Sequence, residues 1–130
     1  MTYEISEFKG DETYRINCTG DACVGDEVAF ERATFSGSFR NPRFDGFERI
    51  YGKIIKDSYG REKQQHTFTL LLENGLNMRI KGRNLYANGT FRKKWDDESK
   101  RDILLKDKHK RGDEAREARR ERRKEEFYCN

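Results

Sequence analysis

The chain of 130 residues has few of the residues that mark several large classes of protein. It contains one proline, one tryptophan, two histidines and three cysteines. So few cysteines, in an odd number, argue against the disulfide framework of a small secreted domain, and we expect reduced thiols. No apolar run reaches the length of a signal sequence or a membrane-spanning helix, so we expect a cytoplasmic protein with no membrane partner.

Motifs of catalytic and cofactor-binding sites are also missing from the sequence. There is no Gly-Lys phosphate loop, no Gly-x-Ser-x-Gly and no His-Glu-x-x-His. We therefore expect no enzymatic activity, no catalytic residues and no cofactor. Cys18 and Cys23 have the C-x4-C spacing of some zinc ligands, but no second close pair of ligands follows, so we expect no metal site.

What the chain has in abundance is charge, and this charge is unevenly distributed. Charged residues make up 40% of the sequence and hydrophobic residues 33%, whereas charged residues are about a quarter of an average soluble chain. Residues 1–31 hold two basic and eight acidic side chains. Residues 32–95 hold fourteen basic and five acidic side chains, and residues 96–130 hold twelve basic and eleven acidic ones. The net charge of +4 therefore conceals a strongly basic middle block.

Alternating apolar and polar residues predict short β-strands in this middle block. The segments 49–56 and 77–81 both place aliphatic side chains opposite basic ones. Asn74-Gly75 predicts a tight two-residue hairpin turn, and residues 36–46, which hold the only proline, are expected to form a loop. About five short strands favour a mostly β (α+β) fold, a small curled sheet or five-stranded barrel. The predicted organisation is an acidic N-terminal segment with an edge strand near 13–18 (residues 1–23), a basic small β-barrel (24–95) and a charged helical tail (96–130).

Helix signals begin after Trp95, where residues 96–99 resemble a helix start. Residues 103–105 are the only aliphatic cluster that we expect to dock this helix on the barrel. Gly112 is expected to interrupt it. Residues 113–126 hold six acidic and six basic side chains, which predicts a solvated, marginal helix.

The basic middle block has the composition of a nucleic-acid-binding surface. Lysine and arginine attract phosphates, and exposed aromatic rings stack on bases. The alternative is ordinary solvating charge, but an ordinary surface mixes both signs. Tyr51, Tyr59 and Tyr86 are stacking candidates, whereas most phenylalanines and Trp95 are expected to fill the core. The candidate binding residues are Arg40, Arg43, Arg49, Tyr51, Lys53, Lys56, Tyr59, Arg61, Lys63, Arg79, Lys81, Arg83, Tyr86, Arg92 and Lys94.

Two other functions stay open at this point. In the first, the acidic N-terminal segment or the charged helix docks onto a host enzyme or a ribonucleoprotein, and the chain is a protein-binding module or inhibitor. In the second, Asp45, Asp57, Glu62 and His66 hold a magnesium ion and the chain is a metal-dependent nuclease. The acidic N-terminal segment is also a candidate for an internal competitor that covers the basic strands.

The order Gly25-Asp26-Glu27-Val28, followed by Gly52-Lys53-Ile54, resembles the KOW-type small β-barrels. In that family a Gly-Asp-x-Val strand precedes a Gly-x-Ile or Gly-x-Val strand, and members commonly bind RNA, DNA or ribonucleoprotein machinery. The resemblance covers about residues 24–95 and implies a structural role for Gly25, Asp26 and Val28.

The small size and mixed charge also resemble accessory proteins of large tailed bacteriophages, some of which alter transcription by binding DNA. Together the two resemblances imply a non-enzymatic nucleic-acid-binding protein that modulates transcription. Binding is expected to be mainly electrostatic and weakly sequence-selective, with duplex DNA slightly favoured over RNA.

Overall fold

The computed structural model describes residues 6–59 and 66–128. Within these residues, six strands form one antiparallel sheet in the order β1-β6-β2-β3-β4-β5. The sheet curls into a half-barrel and a long helix follows it, so the predicted mostly β fold with a C-terminal helix is confirmed. The elements are β1 (Ile16–Asn17), β2 (Glu27–Gly37), β3 (Pro42–Tyr59), β4 (His66–Leu72), β5 (Asn77–Lys81), α1 (Gly82–Tyr86), β6 (Thr90–Arg92) and α2 (Glu98–Tyr128).

The core fills the inner face of the curled sheet, as strand alternation predicts. Phe30, Ile54, Phe68 and Leu70 are completely buried there, and Ile80 is nearly so. Because successive side chains of a strand point to opposite faces, the residues between them point outward.

Residues 36–46, predicted as a loop, are instead the end of a long β-hairpin. β2 and β3 stay paired as far as Gly37 and Pro42, with an irregularity between Thr34 and Phe35. The proline is the first residue of its strand, a position where its missing N–H does not interrupt the ladder. The loop prediction was wrong because proline and glycine mark the hairpin's turn and not a longer irregular segment.

The hairpin predicted at Asn74-Gly75 is present, but its loop has three residues. Leu72 N–H donates to the carbonyl of Leu76 at 2.9 Å, which leaves residues 73–75 in the turn. Gly75, the last residue of this turn, takes a positive φ of +83°. A two-residue turn of the favoured type needs two successive residues with positive φ, whereas the three-residue turn needs one.

The N-terminal segment packs on the outer face of the sheet. Phe8 contacts Phe91 edge-on with ring centroids 5.4 Å apart, and Tyr14 lies 5.1 Å from Tyr51. The edge strand predicted near residues 13–18 is β1, which pairs with β6. The segment therefore covers the part of the outer face formed by β6, β2 and the middle of β3.

Helix α2 docks on the sheet through charged side chains. Arg101 and Lys108 are 5% and 3% exposed, and the half-buried Leu105 and the buried Gly112 complete a stripe with helical spacing. Gly112 does not interrupt the helix, because it lies on the packed side. No helix in the described ranges is long and apolar enough to cross a membrane.

The predicted docking of α2 through residues 103–105 was wrong for two of the three residues, since only Leu105 belongs to the packed stripe. Ile103 is 68% exposed and Leu104 is 39% exposed. Arg101 lies two positions before Ile103, on another side of the helix, and its ion pair with the buried Asp26 sets the rotation of α2. Helix rotation follows this buried pair because an unpaired buried carboxylate would cost more than two exposed aliphatic side chains.

Candidate nucleic-acid interface

The outer face of β3, β4 and β5 carries a set of exposed cations. Lys56 of β3, Thr69 of β4 and Arg79 of β5 form one row of neighbouring side chains across these strands. Lys81 lies two residues after Arg79 on β5 and therefore on the same face. Lys53 precedes them on β3, and Arg83 projects from α1. We call this set the basic face: Lys53, Lys56, Arg79, Lys81 and Arg83.

A β-bulge decides the composition of this face. The β3–β4 register shifts between Ile54 and Lys56, so that Ile55 has no partner. Lys56 consequently points outward and Asp57 inward, because one extra residue reverses the alternation of all positions that follow. Asp57 is the only acid in the described residues 53–59, in β4 and in β5, so the bulge removes the one negative charge from the outer face.

Asp57 is neutralised on the inner side of the sheet. Its carboxylate is 3% exposed, and Arg111 of α2 donates to it at 2.6 Å, with His66 Nε2 3.8 Å away. Burial acts to raise the pKa of Asp57, but its interactions with nearby His66 and with Arg111 outweigh it and lower the pKa to about 2. Within the described part of the chain, by contrast, no residue of the basic face has an ion-pair partner.

A groove continues the basic face past the open edge of the sheet. β5 is the last strand, and beside it lies a groove of about 590 Å³. Its lining includes Arg79, Lys81 and Arg83 of the basic face, together with Arg32 of β2. Asparagines and apolar residues complete the lining, and none of the described lining residues is acidic. Arg32 was not among the predicted site residues, and it makes an ion pair with Glu48 at 3.2 Å.

Two predicted binding residues are part of the internal packing. Arg92 is 7% exposed and makes two hydrogen bonds to the Glu98 carboxylate, at 3.0 and 2.9 Å. It lies opposite Val28, on the inner side of the sheet. The Tyr86 hydroxyl accepts a hydrogen bond from Ala22 N–H at 3.1 Å, and its ring packs against the core. Both positions are therefore wrong as exposed binding residues.

The N-terminal segment contacts two further predicted residues. The Arg49 guanidinium lies 4.1 Å from the centre of the Phe8 ring, and the Tyr51 hydroxyl donates to Asp11 at 3.4 Å. Burial of an aromatic pair on this face explains why Tyr51 is half-buried although its strand position points outward. The acidic segment thus lies beside the basic face, over the middle of the sheet.

The remaining predicted residues are dispersed. Lys94 lines a second groove, of about 410 Å³, that also holds Lys53 and three acidic residues. Arg40 and Arg43 are exposed at the end of the β2–β3 hairpin. Arg61, Lys63 and the side chain of Tyr59 lie outside the described residues.

The groups proposed for metal chemistry do not form a cluster where the structure describes them. Across residues 6–59 and 66–128 there is no set of three or more histidine, cysteine, aspartate or glutamate side chains placed to hold a metal ion. Burial, and then the nearby charge of Asp26, raise the pKa of the Cys18 and Cys23 thiols to about 12. Both cysteines are therefore neutral core residues at physiological pH. Of the nuclease candidates, Asp57 is held by Arg111, and Glu62 lies outside the described residues.

Comparison with known proteins places the chain in a family. A domain family described as a domain of unknown function, DUF7699, matches residues 23–95. The chain belongs to this family. It is also 41% identical, over 133 aligned positions, to zinc finger CCCH domain-containing protein 62 of Oryza sativa subsp. japonica. That alignment covers 92% of the chain and 18% of the rice protein, so the chain spans about a fifth of its relative's length. No solved structure matches the chain.

A buried polar cluster joins the DUF7699 domain to α2. Asp26 is fully buried and accepts hydrogen bonds from Trp95 Nε1 at 2.7 Å, from Arg101 Nε at 2.8 Å and from Cys23 N–H at 3.0 Å. Gly25 takes a φ of +98° beneath the Trp95 ring, where a Cβ atom would lie 2.5 Å from Cη2. Asp26 thus holds the helix beside the start of β2, and Gly25 packs against the Trp95 ring that precedes the helix.

Proposed function

We propose that the domain is a non-enzymatic nucleic-acid-binding protein whose basic face contacts the phosphate backbone. The observation that carries this proposal is the separation of charge across β3, β4 and β5. In residues 53–59 of β3, in β4 and in β5, four cations lie on the outer side, and the single acid of these segments, Asp57, lies on the inner side with Arg111. A surface whose charges all have one sign attracts a polyanion. If these cations served only to keep the protein in solution, their mutual repulsion would be a cost that a surface of mixed charges avoids.

The side chains between the cations also suit a phosphate backbone. Ser58, Thr67 and Thr69 occupy outward positions between Lys56, Arg79 and Lys81. Hydroxyl groups are common donors to phosphate oxygens, and contacts of this kind fix a nucleic acid without reading its sequence. We therefore propose weakly sequence-selective binding, and the slight preference for duplex DNA stays a prediction.

A salt series tests the basic face directly. We expect affinity for a 20-base-pair duplex to fall steeply as salt rises from 50 to 200 mM. The triple variant Arg79→Ala, Lys81→Ala, Arg83→Ala is expected to reduce the slope of log K against log salt by about 3, since each lost phosphate contact contributes about 0.9. Fluorescence anisotropy gives both the affinity and the slope.

The control is a triple variant with the same change in net charge in the distal half of α2. Arg116, Arg120 and Arg123 are exposed and lie far along the helix. Their replacement by alanine is expected to leave the slope within about one unit of the parent value. Equal effects from both triple variants would assign binding to overall charge, and absence of binding at 50 mM salt would refute the proposed function.

A further inference from the structure

The β2–β3 hairpin extends well beyond the strands beside it. β6 pairs with β2 only at residues 28–30, and β4 pairs with β3 only from Gly52 onward. Among the described residues, 31–37 of β2 and 42–49 of β3 are therefore paired only with each other. This two-stranded β-ribbon, residues 31–49, is about 20 Å long at about 3.3 Å per residue.

The ribbon carries four phenylalanines outside the core. Phe35 lies opposite Phe44, and the two rings meet edge-on with centroids 6.1 Å apart. Phe44 meets Phe47 in the same way at 5.3 Å. Phe35 is 53% exposed, and Phe39, in the turn, is fully exposed. Phe35 and Phe39 are therefore not in the core, where most phenylalanines were expected, because they lie beyond the end of β6, the strand that pairs with β2 at residues 28–30.

Positive charge accompanies these rings. Arg40 and Arg43 are exposed on either side of the turn, and neither has an ion-pair partner within the described residues. Asp45, the residue left unpaired by the bulge opposite Thr34 and Phe35, is the only acid among residues 33–47. A purely apolar partner would desolvate both arginines without compensation, whereas a phosphate chain neutralises them.

The rings lie on the same strand as the basic face. β3 carries Phe47 within the ribbon and Lys53 and Lys56 farther along, all at outward positions. About 20 Å of strand separates Phe47 from Lys53. Arg49 and Tyr51 lie between them and contact the N-terminal segment, so a nucleic-acid strand that reaches both the basic face and the ribbon passes over or beside that segment.

We propose that the phenylalanines of the ribbon are a stacking platform for unpaired bases, so that the domain binds single-stranded nucleic acid in preference to a duplex, in place of the slight preference for duplex DNA predicted from the sequence. The proposal rests on the function proposed above and adds the class of ligand. Phenyl rings stack on bases of any sequence. The bases of a duplex are already stacked on one another, so the ribbon gains nothing from them.

The test compares the full chain with its Phe39→Ala variant on a fluorescent 20-nucleotide strand, as DNA and as RNA, and on the matching duplex. Phe39 contributes nothing to the core, so the variant is expected to fold. We expect the single strand to bind more tightly than the duplex. Phe39→Ala should weaken single-strand binding about five- to hundredfold and leave duplex binding within about twofold. Phe39→Leu keeps the apolar surface without the ring, and we expect it to behave like Phe39→Ala.

The outcomes separate this proposal from the proposed function. In one outcome the parent binds nucleic acid in a salt-dependent way, the Arg79, Lys81, Arg83 triple variant loses this binding, and Phe39→Ala changes the affinity for neither the single strand nor the duplex. This outcome refutes the stacking platform and leaves the basic face supported. A second outcome would also contradict the stacking platform. Phe39→Leu would bind the single strand as tightly as the parent, and the parent and Phe39→Leu would form a concentration-dependent dimer that Phe39→Ala does not form. The ribbon would then be a protein-docking surface. If the parent binds no nucleic acid at 50 mM salt, both proposals fail. Quenching of 2-aminopurine in the strand should accompany binding of the parent and not of Phe39→Ala.

Discussion

The ion pair between Asp26 and Arg101 should be the most sensitive point of the structure. The Asp26 carboxylate is fully buried, and the Arg101 side chain is 7% exposed. Replacing Arg101 by methionine removes the hydrogen bonds at 2.8 and 2.9 Å and leaves a buried carboxylate without a counter-charge. Breaking a buried pair in this way costs about 3–5 kcal/mol.

This loss corresponds to a large change in melting temperature. The entropy of unfolding is about 2.1 cal/mol/K per residue, or about 0.27 kcal/mol/K for a chain of this length. A loss of about 3 kcal/mol therefore lowers Tm by about 11 °C. Trp95 is the only tryptophan and donates to Asp26, so its fluorescence reports on this cluster during urea unfolding.

The matched control for Arg101→Met is Arg120→Met, on the exposed distal half of the same helix. It removes an equal charge, and we expect it to change the free energy of unfolding by less than about 0.5 kcal/mol. If Arg101→Met cost less than about 1 kcal/mol, the buried pair would not be what holds α2 on the sheet.

Two further predictions concern stability. Gly25→Ala should lower the free energy of unfolding by about 2–4 kcal/mol, because it adds a clash with Trp95 to the strain of a positive φ. The control is Gly46→Ala, at φ +116° with open space around it. In urea unfolding, its loss of stability should be at least 1 kcal/mol smaller. The lowered pKa of Asp57, about 2 against 3.8, should stabilise the fold by about 2 kcal/mol above pH 4, and this contribution should disappear as pH falls through 2. Arg111→Gln should flatten that acid dependence, and an unchanged profile by circular dichroism would contradict the assignment.

Local alternation predicts most of the sheet, because burial on one face imposes a period of two on the sequence. Met78 and Ile80 face inward and Arg79 and Lys81 outward, as their spacing predicts. The same reasoning fails for Arg92, because a basic side chain is expected to face outward and Arg92 occupies an inward position. Its partner Glu98 lies in the first turn of a helix that follows the strand, and no local pattern identifies that pairing.

The phenylalanines fail for a different reason. A phenylalanine in a strand is expected to be buried, but burial needs a neighbouring element. Strand β6 has three residues and β2 has eleven, so Phe35 extends past the strand beside it. Relative strand length is a property of the whole sheet, and it is not visible in any short segment of the sequence.

The basic face depends on a single residue that strand periodicity cannot place. In a regular strand, the outward position of Lys53 would put residues 55 and 57 outward and residue 56 inward. Lysine and aspartate would then exchange faces, and the outer surface would carry Asp57 between the cations. The bulge at Ile55 reverses this order. The excess of positive charge in residues 32–95 thus becomes a one-signed surface through the register of β3 and β4, since composition sets how much charge there is and register sets the face on which it lies.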